Sequence, residues 1–286
     1  LTAAAHIAFC PVMNAIPETL SSAAVAVLRA ADPGEKIRLT QTFAAAWRDG
    51  RIAEIGIADP PDRPGRPERP ELRPPRDMPK RRKAQSRAGR IALLHALAHI
   101  ELNAIDLAWD IIARFSDPGR AGMSLPRAFF DDWLKVAEDE ARHHGMVCNR
   151  LTALDAAYGD LPAHDGLWQS AIDTAHDLGA RLAVVPMVLE ARGLDVTPAM
   201  MESLRRAGDE ASAEVVQVLH DEEIGHVATG KRWFEHVCAV RRLEPITTWQ
   251  GLVKTYFRGE LKRPFNRLAR DRAGFHSAFY EPIAID

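Results

Sequence analysis

From Arg90 onward, apolar residues recur at spacings of three and four, the period of a helix with one buried face. The pattern predicts helices over residues 90–115, from Ser124 and Pro126 to about residue 157, over 167–192, from Thr197 and Pro198 to Gly208, and over 209–241. Turn-forming strings divide them: SDPG after the first, YGD and LPAHDG after the second, and Gly193 after the third. Two shorter helices are expected earlier, Ser21–Ala30 and Glu35–Arg48, separated by DPG and closed by Gly50. No stretch alternates with period two, so the fold class is all-α.

Residues 58–89 break the pattern, with eight prolines between residues 60 and 79. Proline fixes φ and lacks the N–H donor, so this segment is extended, either a linker or an ordered arm lying on the core. The chain thus divides into an N-terminal helical segment (1–57), a Pro/Arg-rich arm (58–89), a helical core (90–241) and a mixed C-terminal extension (242–286).

The buried stripes of the four long helices carry the chemistry. They read Leu94, Leu97, Ala98, Glu101, Ala104, Ile105, Ala108, Ile112; Trp133, Val136, Ala137, Glu140, His143, Val147, Leu151; Ile172, Ala175, Gly179, Ala183, Met187, Glu190; and Val216, Leu219, Glu223, His226, Gly230, Trp233. Each places a carboxylate on an apolar face. Burying an unpaired carboxylate costs several kcal/mol, roughly, even after relaxation, and four facing one another would also repel. Two divalent cations would neutralise four glutamates. Glu140 and His143 are three residues apart, so both side chains can reach one ion, and Glu223 and His226 repeat the spacing. These are the only two ExxH pairs in the chain, and each follows an isolated stripe glutamate, Glu101 or Glu190. This is the ligand order of two similar helical hairpins around a dimetal site. The competing reading is a set of buried ion pairs with arginines such as Arg142 and Arg192. His144 and Glu222 are alternatives to their neighbours His143 and Glu223. Asp139 and Glu222 each precede an ExxH glutamate and are placed to accept a hydrogen bond from the other helix's histidine. His95 and His99 lie off the Glu101 face and read as core or interface residues, and His220 as a flank of the site. Pro186, four residues before Glu190, is expected to kink its helix.

Composition narrows the picture little. The chain has 286 residues and a formal net charge of -2, which gives no general attraction to nucleic acid or membrane. Three scattered cysteines, Cys10, Cys148 and Cys238, read as reduced thiols of a cytoplasmic protein. The first residues lack a basic region ahead of an apolar run, so no signal peptide is read there, and no uncharged apolar stretch suggests a transmembrane helix. Basic residues concentrate locally: eleven Lys/Arg against five Asp/Glu in residues 58–90, and nine against five in 241–286. Such patches can hold phosphates.

The strings HIELNAIDLAWD, DEARHH, LEARGLDVTP and HDEEIGHVATG resemble those of the ferritin-like dimetal proteins. More closely they resemble an uncharacterised bacterial ferritin-like family, a domain of unknown function related to the tRNA-modifying non-haem iron hydroxylases. PELRPPRDMPKR and FNRLARDRAGFHSAFY look typical of that family too. The resemblance implies a ferritin-like four-helix bundle with a di-iron site on Glu101, Glu140, His143, Glu190, Glu223 and His226. Glu222 stands where many di-iron oxygenases carry Asp. Carboxylate and imidazole ligands suit two Fe or Mn ions. The expected function is that of an O2-dependent oxidoreductase of the hydroxylase type, acting on an unidentified small molecule or tRNA and served by a separate reductase, since no flavin or nicotinamide motif is present. The alternatives are an iron-oxidising or peroxide-handling ferritin-like protein, and a non-catalytic metal-stabilised binding protein.

Overall fold

The structure, a computed structural model, describes residues 16–74, 77–78 and 84–286. Cys10 and the basic run Lys80–Lys83 lie outside them. The protein is all-helical. Among the described residues the only β pairing is three isolated bridges, Thr19 with Glu54, Leu72 with Ala163 and Lys262 with Ile285.

Helices α1 (Leu20–Arg29) and α2 (Pro33–Arg48) start at Thr19 and Asp32, whose side chains accept from Ser22 N and Glu35 N. Each cap satisfies an N–H that has no partner inside its own helix. They pack on α3 (Arg87–Phe115) and α5 (Arg127–Ala153), which pair along their length. A one-turn helix, α4 (Pro118–Ala121), links that pair. α3 is long and apolar enough to cross a membrane, but its apolar stretch is mostly buried against its neighbours, so it serves here as a core helix.

Residues 167–192 differ from the expected single helix. Helix α6 (Gly166–Asp173) stands apart, Ala175 sits in a turn, and a new helix, α7 (Leu178–Val184), starts at its own cap, Asp177. Ile172, placed on the buried stripe by its spacing, is exposed. The α7 path widens into a π-helical segment, Val185–Glu190, and runs without a break into α8 (Ala191–Arg206). Gly193 and Thr197–Pro198 therefore do not end one helix and start another.

Tertiary donors explain why these signals fail. Pro198 has no N–H for the carbonyl of Leu194, and Asn266 Nδ2 donates to it at 3.1 Å instead. At the α-to-π junction Trp249 Nε1 donates to Ala183 O at 3.2 Å, and at the far end of the π segment buried Arg270 reaches Ala191 O at 3.3 Å. All three donors belong to the C-terminal extension, which folds as α10 (Pro245–Tyr256), α11 (Arg267–Arg272) and α12 (Ser277–Tyr280). Helix α9 (Glu210–Arg241) lies alongside α7, the π segment and α8. Gly230 on α9 is required there, because a Cβ at that position would lie 2.3 Å from Pro186 Cβ.

The Pro-rich segment is an ordered arm over its described part. Arg66 Nη1 pairs with Asp106 of α3 at 2.6 Å, Arg114 reaches Pro61 O, and Trp168 reaches Asp62 O. Arg73 N donates to Ala163 O, and Ala163 N to Glu71 O. One continuous hydrophobic core runs from Leu20 through the central helices to Tyr280, and a second, smaller cluster lies around Leu94, Val147 and Val216. The N-terminal segment and the C-terminal extension are thus parts of the main core.

Two stability changes follow. Asn266→Ala leaves the Leu194 carbonyl unmet and removes the α11 cap on Ala269 N, and should cost about 2–3 kcal/mol in denaturant unfolding. Gly193→Ala, inside a continuous helix with open space around its Cβ, should stabilise by about 0.5–1 kcal/mol.

Candidate metal centre

Four helical runs bring the six stripe residues into one buried cluster. α3 supplies Glu101, α5 supplies Glu140 and His143, the π segment supplies Glu190, and α9 supplies Glu223 and His226. Two groups of candidate ligand atoms lie within 4.8 Å of one another: Glu101, Glu140, His143 and Glu223, and Glu190, Glu223 and His226. Glu223 belongs to both. Glu140 also spans them, since its oxygens lie 3.6 Å from His143 Nδ1 and 3.0 Å from His226 Nδ1. The ExxH glutamates are therefore central, and Glu101 and Glu190 stand at opposite ends. Glu101, Glu140, His143 and His226 are buried; Glu190 and Glu223 are partly exposed, with a carboxylate oxygen of each turned inward.

Seven atoms point into this space without a hydrogen-bond partner: Glu101 Oε2, both oxygens of Glu140, Glu190 Oε2, Glu223 Oε2, and Nδ1 of His143 and His226. Buried polar groups are ordinarily satisfied. The protein's other buried carboxylates have cationic partners. Asp106 pairs with Lys36 and Arg66, Asp110 with Arg181 and Arg114, Asp195 with Arg270, and Asp209 with Arg90 and Arg150. Among the described residues no lysine or arginine pairs with the four glutamates. Arg142 binds Asp139 and Glu222, and Arg192 binds Asp195 and Lys262 O, so the arginine-paired reading does not describe the cluster.

Electrostatics express the same deficit. Burial, and then the charge on Glu140, raise the Glu101 pKa well above its usual value; burial and Glu223 do the same for Glu190, and burial and Glu140 raise Glu223. Glu140 moves the other way: burial opposes its ionisation, but His143 and His226 outweigh it and pull its pKa far down. For His143 burial opposes the charged form, yet Glu101 and Glu140 raise its pKa to about 11. His226 is likewise raised, with Glu223, Asp139 and Glu140 overcoming its burial. Without metal, protons on these groups would balance the carboxylate charge.

The outer imidazole nitrogens have partners. His143 Nε2 lies 2.7 Å from Glu222 Oε2, and His226 Nε2 lies 3.4 Å from Asp139 Oδ2. Each histidine thus faces a carboxylate on the opposite helix. With those Nε2–H groups donating outward, both Nδ1 lone pairs face the cluster, the tautomer a metal ligand needs.

The remaining histidines lie elsewhere. His144 directs Nδ1 to Ala98 O and Nε2 to Cys148. His99 contacts Tyr158 Oη and His164 O, while His95 Nε2 accepts from Gly159 N. His220 contacts the Thr197 hydroxyl. Cys148 and Cys238 are free thiols. Sequence reasoning missed Asp106 and Asp110, two fully buried acids on α3. Only their cationic partners, Lys36, Arg66 and Arg181 from distant segments, distinguish them from the cluster glutamates.

The structure defines an all-α protein with a buried cluster of four glutamates and two histidines. Residues 29–281 match the family described as "Protein of unknown function (DUF455)". The chain belongs to that family. It is 41% identical over 201 residues to an uncharacterized protein of Haemophilus influenzae, a span covering 70% of this chain and 69% of the relative. No solved structure matches it.

Glu190 offers a direct test of the electrostatics. A carboxyl whose folded pKa lies above its ordinary 4.5 costs stability as pH rises past 4.5, and the full cost is reached above the folded pKa. Glu190→Gln removes that cost. In chelator-containing buffer at pH 8 the variant should be more stable than wild type. The advantage should fade as pH falls toward 4.5, as followed by denaturant titration at each pH.

Proposed function

We propose that the protein is a ferritin-like dimetal-carboxylate oxidoreductase, with α3, α5, the α7–π–α8 run and α9 as its four-helix bundle. The observation that carries this reading is the convergence of seven unpartnered buried atoms from six residues, in a protein that gives its other buried acids cationic partners. Glu101, Glu140 and His143 would hold one ion, and Glu190, Glu223 and His226 the other, with Glu140 and Glu223 placed between them. Oxygen and imidazole donors suit iron or manganese better than a structural zinc site, which favours closed Cys/His tetrahedra.

Bound iron would supply the capacity to reduce O2. The chain's own residues do the rest. The buried apolar stripes exclude bulk water, Asp139 and Glu222 fix the histidine tautomers, and the partial exposure of Glu190 and Glu223 leaves that side nearer to solvent. These features support a hydroxylase-type reaction with electrons from a separate donor. An iron-storage role is less favoured, because the arm and C-terminal extension are built into the subunit core.

For substrate we favour a small molecule over tRNA. The arm's Arg63 and Arg66 and the extension's Arg258, Arg263, Arg267 and Arg270 are engaged in ion pairs within the chain. Among the described residues these six side chains are thus committed to carboxylates and not free to meet a phosphate backbone.

Elemental analysis tests the metal reading first. Protein purified without chelator, or loaded anaerobically with Fe(II), should hold about two iron or manganese ions per chain, from the two ligand groups, and Glu140→Ala/Glu223→Ala should hold none. Iron-loaded wild type supplied with reductant should consume O2, and the double variant should not exceed the buffer rate. Metal-free protein after anaerobic loading would end this reading.

A further inference from the structure

The two ExxH stretches differ at one position with a structural consequence. The first reads Asp139-Glu140-Ala141-Arg142-His143 and the second Glu222-Glu223-Ile224-Gly225-His226. Arg142 therefore has no counterpart on α9, where Gly225 stands. A single guanidinium nitrogen, Arg142 Nη2, reaches both outer carboxylates: Asp139 Oδ1 on its own helix at 3.1 Å, and Glu222 Oε2 across the interface in a close ion pair. It thus ties together the two acids that receive His226 and His143.

The two acids are not restrained equally. Asp139 is nearly buried and also bound by Lys135, one turn earlier on α5. Glu222 is one methylene longer and its side chain is 35% exposed. Among the described residues its hydrogen bonds are to Arg142 and His143 alone. Without Arg142, Glu222 is free to swing into solvent, whereas Lys135 still holds Asp139.

We propose that Arg142 is a positioning residue for one half of the centre: through Glu222 it fixes the His143 imidazole, and hence the ion held with Glu101 and Glu140, while the His226 half is indifferent to it. The inference rests on the dimetal reading above. Loss of an outer hydrogen-bond partner typically weakens metal binding by about 10–100-fold, and here the loss should fall on one ion.

The test is anaerobic Co(II) titration, read by the visible ligand-field bands and by equilibrium dialysis, on protein first stripped of metal. Wild type should bind two ions. Arg142→Ala should bind one as before and the other about 10–100-fold more weakly. Glu222→Ala should reproduce this, and the Arg142→Ala/Glu222→Ala double variant should lose no more than either alone. Single-ion backgrounds assign the half: Arg142→Ala should weaken the ion left in Glu190→Ala and leave unchanged the ion left in Glu101→Ala. Arg142→Lys, able to pair with Glu222, should recover part of the affinity, and circular dichroism should show each variant folded. Should Arg142→Ala prove unfolded, Glu222→Ala in the same two backgrounds gives the same discrimination. Equal weakening of both ions, additive losses, or an unaffected Arg142→Ala titration would overturn the assignment. A wild type that binds no Co(II) would instead remove the dimetal reading.

Discussion

Charge compensation in a low-dielectric interior is the constraint on which the rest of the molecule depends. The central helices bury acids at several levels, and each must meet a positive charge or a proton. For Asp106 and Asp110 the chain supplies the cations itself. Lys36 comes from the N-terminal helices, Arg66 from the arm and Arg181 from α7, so these ion pairs also fasten three separate segments to α3. Among the described residues the glutamates of the central cluster receive no such partner, and the basic groups that face them are His143 and His226. The core thus neutralises its acids with lysine and arginine at one level and leaves a cluster of glutamates and histidines at the next.

One wall of that cluster is an irregular helix. Glu190 ends a π-helical turn that follows Pro186, and the same run contains Pro198 two turns later. Each irregularity frees backbone carbonyls, which would be costly to bury unmet. The C-terminal extension supplies donors along this run, Asn266 to the Leu194 carbonyl that Pro198 leaves free, Trp249 to Ala183 O and Arg270 to Ala191 O. Gly230 lets the Pro186 ring approach α9. The extension is therefore a support for the helix that carries the fourth glutamate.

Outside the cluster, polarity is ordered outward from the candidate ligands. The inner imidazole nitrogens face the carboxylates, the outer ones face Asp139 and Glu222, and those acids meet Arg142 and Lys135 near the surface. Along the two histidines, then, acid, imidazole, acid and cation follow one another from the cluster to the surface. The crossing of both histidine contacts between α5 and α9 also ties these two helices at the level of the site.

The sequence by itself determined the helical class and most of its elements, because helical period and cap residues are local. The helices read over Ser21–Ala30, Glu35–Arg48, 90–115 and 209–241 are found as α1, α2, α3 and α9 with their starts moved by at most three residues, to where Thr19, Asp32, Ser86 and Asp209 cap them. It also determined which residues meet: Glu101, Glu140, His143, Glu190, Glu223 and His226 lie on buried faces, and a buried face has to find other buried faces. Tertiary structure decided the rest. Gly193 and Pro198 read locally as breaks, but the helix runs through both, and Asn266, some 70 residues away, meets the Leu194 carbonyl that Pro198 leaves free. Residues 167–192 read as one helix, but the turn after α6 and the π segment before Glu190 depend on neighbours that periodicity does not register. Asp106 and Asp110 are as buried as Glu140, and nothing in their spacing marks them as different. Only the folded chain brings Lys36, Arg66 and Arg181 to the first two and leaves the third without a lysine or arginine, because charge pairing is a property of three-dimensional neighbours.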